Sequence, residues 1–181
     1  MTRPEHYRSY SAVFPILLRE GANGQEVLLH LRQNTGYMDG CWDFAGSGHV
    51  DENETARQAV APEGVPQPVQ VLHRQGPVQA QLGAHIRPVL LRGEFNADAE
   101  QRVVHRVAGG DGRTYYDLCF VIRKYDGTPT IMEPDKNAGL RWFPTEALPE
   151  NTSTAVEVML RPCLRGQPYS EVIHDLPVTS I

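Results

Sequence analysis

Three cysteines in 181 residues, Cys41, Cys119 and Cys163, are too few, too widely spaced and odd in number for a disulfide framework or a metal-ligand pattern. Their usage is that of a reduced, cytoplasmic protein. Also absent is any block of lysine and arginine. Together with a formal net charge of −5, this excludes a surface built to coat nucleic acid. A small nucleotide is not excluded, because it needs only a local cationic pocket and a metal. No apolar stretch approaches membrane-spanning length, and Met1 to Tyr10 is polar, without the apolar core of a secretion signal. Neither an internal repeat nor a low-complexity linker is present. What remains is 40% hydrophobic and 22% charged, ordinary for a globular chain, and its length suits a single domain over 1–181.

Ser11 to Arg19 and Glu26 to Leu31 are rich in aliphatic and β-branched residues. The Gly21-Ala22-Asn23-Gly24 turn between them predicts a hairpin. Gly36 to Gly40 reads as a loop and Trp42-Asp43-Phe44 as a short strand. Thr55 to Ala61 has helical composition with Glu52 or Asn53 to cap it, and Pro62, Gly64, Pro66 and Pro68 forbid its regular continuation. Short strands are predicted at 69–72 and 88–91, with a helical turn at 79–83. Arg102 to Val107 and Thr114 to Lys124 predict a second hairpin about Gly109-Gly110-Asp111-Gly112. Asp126 to Pro129 is a turn and Leu140 to Phe143 a final strand. Val156, Met159, Leu160 and Leu164 recur at helical spacing, which predicts an amphipathic helix over Thr152 to Leu164, weakened in its last turn by Pro162. The fold class that follows is α+β, a mixed sheet flanked by helices as an α/β/α sandwich.

The segment Gly46-Ser47-Gly48-His49-Val50-Asp51-Glu52-Asn53-Glu54 resembles the opening of the Nudix box, in which a glycine is followed after five residues by a glutamate. The box then runs seven residues to Arg-Glu-apolar-any-Glu-Glu-any-Gly. Gly48 and Glu54 stand at that separation. Counting on reaches Pro62-Glu63-Gly64-Val65-Pro66-Gln67, which keeps one glutamate, Glu63, and replaces the arginine by Pro62 and the paired glutamates by Pro66 and Gln67. A second register restarts at Pro77-Val78-Gln79-Ala80-Gln81-Leu82-Gly83, with Ala80-Gln81 at the acidic pair. Other blocks are similar to the same family: Leu29 to Tyr37 with Asp39 to Trp42, Tyr115 to Phe120, Glu133 to Asn137, and Leu140 to Phe143 ending in Leu148-Pro149.

The resemblance implies the Nudix fold and hydrolysis of the pyrophosphate bond in a nucleoside diphosphate derivative, a small-molecule nucleotide or dinucleotide, with Mg2+ or Mn2+ as cofactor. It implies neither a nucleic-acid nor a membrane partner and is compatible with a homodimer. Glycine lets the loop backbone approach phosphate or metal, and carboxylates three and four apart on the following helix hold divalent ions through oxygen. The implied catalytic residues are Glu63 and Glu133. Gly48, Glu54, Glu63 and Glu133 form the implied metal set, and Arg32, Tyr37, Trp42, Gly46, Gly48 and His49 the substrate-binding set. Tyr115 is a further candidate for stacking a nucleobase. Asp135, Glu94, Asp98 and Glu100 are carboxylates whose simplest reading is solvated surface charge.

Three readings stay open on these residues. One is a hydrolase impaired by the lost box carboxylates. Another is a fold of the same kind that binds a nucleotide or partner without turnover, because ligand charge tunes metal affinity. The third concerns 62–99, whose abrupt edges fit an acquired insertion or a reading-frame disturbance.

Overall fold

The computed structural model describes residues 9–53, 55–56, 59, 89–90, 100–108, 114–125, 128–131 and 133–174. The expectations at 62–72, 77–83 and 109–113 lie outside these residues.

Strand β1 (Tyr10–Gly21) alternates its side chains between two buried faces. Ala12, Phe14, Ile16 and Leu18 enter one core, whereas Val13 and Leu17 point to the other. Gly24, at φ +112, makes the turn into β2 (Gly24–Arg32) without steric cost, and Leu18 pairs with Val27 and Arg19 with Glu26, the predicted hairpin. Strands β3 (Trp42–Phe44) and β4 (Gly48–His49) follow, and β4 lies antiparallel against Ala12 and Val13. Next come β5 (Val89–Leu90), β6 (Glu100–Ala108), β7 (Thr114–Ile122), β8 (Thr130–Ile131) and β9 (Asn137–Pro144). Helix α1 (Thr154–Leu164) precedes β10 (Tyr169–His174).

The main sheet has the order β10-β6-β7-β1-β2-β3, with β4 on β1 and β9 on β2. It is mixed, because β1/β7 and β10/β6 run parallel and the remaining pairs antiparallel. Strands β5 and β8 form a separate two-stranded sheet. On one face α1 buries Val156, Met159, Leu160 and Cys163 against Phe14, Ile16, Phe44 and Cys119. On the other face a helical turn carrying Ala56 and Ala59, closed by the Ala59 amide donating to the Thr55 carbonyl at 2.9 Å, packs on Val13, Leu118 and Phe120. The α+β class and its two-sided cover of the sheet are as expected.

Strands β4, β8 and β10 are additional to the sequence expectation. Leu140 to Phe143 lies within a strand, but it is not the last one, since β10 follows α1 and adds to the edge of the sheet beside β6. Strand β4 has only two residues, too short for any alternation to show. Pro162 leaves α1 intact to Leu164, because the hydrogen bond that proline cannot donate is one near the end of the helix. No helix among the described residues is long and apolar enough to cross a membrane.

Candidate functional site

The loop between β2 and β3 is built by its own short-range hydrogen bonds. The Asp39 carboxylate accepts from the Thr35 amide at 3.0 Å, from the Thr35 hydroxyl and from the Gly36 amide at 3.1 Å. These bonds, led by the one from the Thr35 side chain, hold the Asp39 carboxyl below its ordinary pKa. The loop also closes through Gly36 and Gly40, both in the left-handed region at φ +75 and +83, where glycine carries no Cβ penalty. Tyr37 stands at its tip, 60% exposed.

Arg32, at the end of β2, is engaged at all three guanidinium nitrogens. Nε donates to the Tyr37 carbonyl at 2.9 Å, Nη2 to the Thr35 hydroxyl at 3.0 Å, and Nη1 to Asp43 Oδ2 at 3.1 Å. Its guanidinium also lies 5.6 Å from the Tyr37 ring centroid. Arg32 therefore holds the loop that presents Tyr37.

Glu133 begins a turn that docks on the same loop. Gln33 donates its side-chain amide to the Pro134 carbonyl at 2.7 Å, Asn34 donates to the Asp135 carbonyl at 2.9 Å, and the Gln33 amide donates to the Lys136 carbonyl at 3.0 Å. Glu133 Oε1 accepts from Lys136 Nζ at 3.3 Å. Three predicted residues, Arg32 and its near neighbour Tyr37 together with the distant Glu133, thus share one end of the sheet.

The glycine loop forms a second group. Gly46 is buried, and Gly48 and His49 are strand residues paired with Val13 and Ala12. His49 is exposed, its ring 6.3 Å from Tyr10 and 6.0 Å from Tyr115, and these two tyrosines stack at 5.2 Å. Trp42 is half-buried and packs edge-on against Phe143 at 4.7 Å, a contact within the core beneath α1. Glu54 and Glu63 lie outside the described residues, so Glu133 is the one carboxylate of the implied metal set whose place is described. Among the described residues, no three His, Cys, Asp or Glu side chains gather as a metal-binding group.

Sequence reasoning missed Asp43 and His30. Asp43 is buried, and besides Arg32 its Oδ1 accepts from the Ser153 hydroxyl at 2.8 Å. Beside it in register lies His30, 3% exposed, with neither ring nitrogen hydrogen-bonded. Burial pushes the His30 imidazole down to about 4; the Asp43 charge opposes this and Arg32 adds to it. The available signal was an aspartate set between Trp42 and Phe44 in a strand otherwise fit for a core.

No family model matches the chain, and no curated protein matches it by sequence. Solved structures do match it in fold. A MutT Nudix hydrolase from Burkholderia pseudomallei is 22% identical, with 86% of this chain and 98% of that one covered and a TM-score of 0.58. The Nudix domain of Shewanella oneidensis NrtR, solved with ADP-ribose, is 16% identical over 91% of this chain and 93% of that one, with a TM-score of 0.53. A bifunctional NMN adenylyltransferase/ADP-ribose pyrophosphatase from Francisella tularensis is 13% identical over 90% of this chain and 42% of that one, also at 0.53.

Proposed function

We propose that this chain, which has the Nudix fold, is a slow, divalent-metal-dependent hydrolase of a nucleoside diphosphate derivative. The observation that supports this most is the path from Gly46 and Gly48 into the helical turn of Ala56 and Ala59, seated on Val13 and Phe120. A glycine loop that runs into a helix packed on the sheet is the arrangement pyrophosphate chemistry of this kind uses. In this reading Glu54, Glu63 and Glu133 would hold Mg2+ or Mn2+ through oxygen, with Gly48 as the remaining member of the set. When bound, the metal neutralises pyrophosphate charge and lowers the pKa of water. Glu63 or Glu133 accepts the proton from the attacking water at its carboxylate. His49 and the glycine backbone face phosphate, and Tyr37 offers its exposed ring to the base. Arg32 serves by fixing Tyr37.

Turnover is slow in this reading because Pro66 and Gln67 stand where two further carboxylates would bind metal. The same observation favours a second reading, a module that binds the nucleotide without cleaving it. ADP-ribose is the first substrate to try, since two of the proteins alike in fold carry it in their descriptions. Phosphate-ester release from ADP-ribose, dinucleotides and nucleoside triphosphates is followed during Mg2+ and Mn2+ titration, alongside Glu63→Gln and Glu133→Gln. Metal-dependent turnover lost in either variant supports the hydrolase. Calorimetric binding of ADP-ribose with no turnover on any substrate moves the protein to the second reading.

A further inference from the structure

Ala22 and Asn23 join β1 to β2, and both are exposed, as is Gly24, the first residue of β2. Gly21 and Gly24 face each other as the last pair of the hairpin. Gly24 stands at φ +112, and a Cβ built on it would meet nothing within 4 Å. The space beside Gly24 is therefore open to water.

An asparagine followed by glycine carries its own chemistry. The amide nitrogen of the next residue can attack the asparagine side-chain carbonyl carbon and close a succinimide ring. Glycine favours this step twice. It has no side chain to obstruct the approach, and its backbone turns freely into the geometry the ring requires.

Asn23 is the only asparagine in the chain that precedes glycine. Among the other described asparagines, Asn34 and Asn151 donate their side-chain amides to the carbonyls of Asp135 at 2.9 Å and Gly40 at 2.7 Å. Asn137 is buried, and its Oδ1 accepts from the Gly139 amide at 3.2 Å. Asn53 is exposed but precedes Glu54.

We propose that Asn23 is a site of spontaneous deamidation, converting through a succinimide to isoaspartate and aspartate. The Gly24 amide nitrogen gives its proton to water or hydroxide and bonds to Asn23 Cγ. The Cγ–Nδ2 bond breaks and ammonia leaves. Water then adds to either ring carbonyl, and the ring bond from that carbon to nitrogen breaks. Opening at the main-chain carbonyl leaves the chain running through Cγ, which is isoaspartate, and opening at Cγ leaves aspartate. Nothing is oxidised or reduced.

Either product adds one negative charge to a chain whose formal charge is already −5. The charge arrives close in sequence to exposed Glu20 and to Glu26, whose Oε2 accepts from Arg19 Nε at 2.7 Å. At so exposed a place the charge alone costs little. Isoaspartate does more, because it inserts a methylene into the backbone of a tight turn. The Gly21–Gly24 pair cannot then keep its geometry, and the strain falls next on Glu20–Gln25. The glycine loop pairs with Ala12 and Val13 at the other end of β1, so this site is separate from it.

The test is ageing of the full-length protein at neutral and mildly alkaline pH, then tryptic digestion at slightly acidic pH to halt further cyclisation. Residues 20–32 leave as one peptide with Asn23 as its only asparagine. This peptide should gain the mass of one amide-to-acid conversion and split into two chromatographic forms. The larger form should accept a methyl group from a protein isoaspartyl carboxyl methyltransferase. Conversion should quicken as pH rises, since the attacking nitrogen must lose its proton. Residues 33–57, which hold Asn34 and Asn53, should keep their mass over the same period. The aged parent should show a new acidic band on isoelectric focusing, and Asn23→Ser should not. A 20–32 peptide that keeps its mass in the folded protein, after the same synthetic peptide has converted, overturns the site. So does an equal mass gain in residues 33–57, or an acidic band undiminished in Asn23→Ser.

Discussion

The Arg32 guanidinium and the Asp43 carboxylate meet at 3.1 Å with side chains only 13% and 5% exposed. Around this pair several parts of the fold converge. Arg32 ends β2 and grips Thr35 and Tyr37 of the following loop, while Asp43 sits in β3 and receives the hydroxyl of Ser153 at the start of α1. One ion pair therefore ties the loop carrying Tyr37 to both the sheet and the helix.

Asp43→Ala should destabilise the protein by about 3–5 kcal/mol, because it strands a buried guanidinium and removes the acceptor of Ser153. Replacing both partners, Arg32→Met with Asp43→Leu, should cost less than the single change, because no unpaired charge is left behind. Urea unfolding of the parent, both single variants and the double variant measures this directly. Equal costs for Asp43→Ala and the double change would show that the charge is not what matters.

His30 makes stability depend on pH. Its imidazole titrates near 6.5 when unfolded and at about 4 when folded, because burial disfavours the charged ring. Above the unfolded value neither state binds the proton, and stability is at its full level. Below it the unfolded chain takes up the proton first, so stability falls as pH falls and the loss is complete near pH 4, about 3 kcal/mol in all. Unfolding free energies measured between pH 7 and 4 should show this slope, and His30→Leu should flatten it. An unchanged slope in that variant would assign the effect to other groups.

Ser153 does two jobs that a single substitution separates from core packing. Its hydroxyl oxygen accepts from the Val156 amide at 3.3 Å as the N-cap of α1, while its proton goes to Asp43. Ser153→Ala should cost about 1 kcal/mol for the cap and roughly 1.5–3 kcal/mol for the lost bond to a buried carboxylate. Ser153→Asp keeps a capping oxygen but sets two carboxylates together, so it should melt below Ser153→Ala. Thermal melts of the two variants decide the order.

What the sequence made legible follows from period and punctuation. The runs at Ser11 to Arg19 and Thr114 to Lys124 fall within β1 and β7, extending two residues past β7's end, because strands buried on both faces read as continuous apolar stretches. Helix α1 showed through Val156, Met159 and Leu160 at helical spacing. Other features depend on partners distant in the chain. Nothing near Arg32 announces that its charge is satisfied by Asp43 and its loop, and the docking of Gln33 and Asn34 on the turn after Glu133 spans about a hundred residues. Tyr169 to His174 is short and partly polar, and its place beside β6 is a fact of topology rather than of composition. Cys119 read as buried, which it is, but its meeting with Met159 and Cys163 required knowing which strand α1 covers.

Tyr37 offers a way to separate recognition from stability. Its ring is largely in solvent, and what it contributes to the fold is a 5.6 Å contact with the Arg32 guanidinium, a surface interaction of about 0.5–1 kcal/mol at most. The loop itself is held by Asp39, Thr35 and the Tyr37 backbone carbonyl, none of which a side-chain truncation removes. Tyr37→Ala should therefore leave the urea midpoint nearly unchanged. If the ring stacks a nucleobase, the same variant should weaken ADP-ribose binding on the order of tenfold, the effect of losing one aromatic–base contact, and Tyr37→Phe should restore it. Asp39→Asn is the complement: it keeps the ring but loosens the loop that aims it, so it should weaken binding while the Tyr37 side chain is intact. Unaltered affinity in both Tyr37→Ala and Asp39→Asn would remove this loop from the binding site and leave the exposed rings of His49 and Tyr10 to test, beside the half-buried Tyr115.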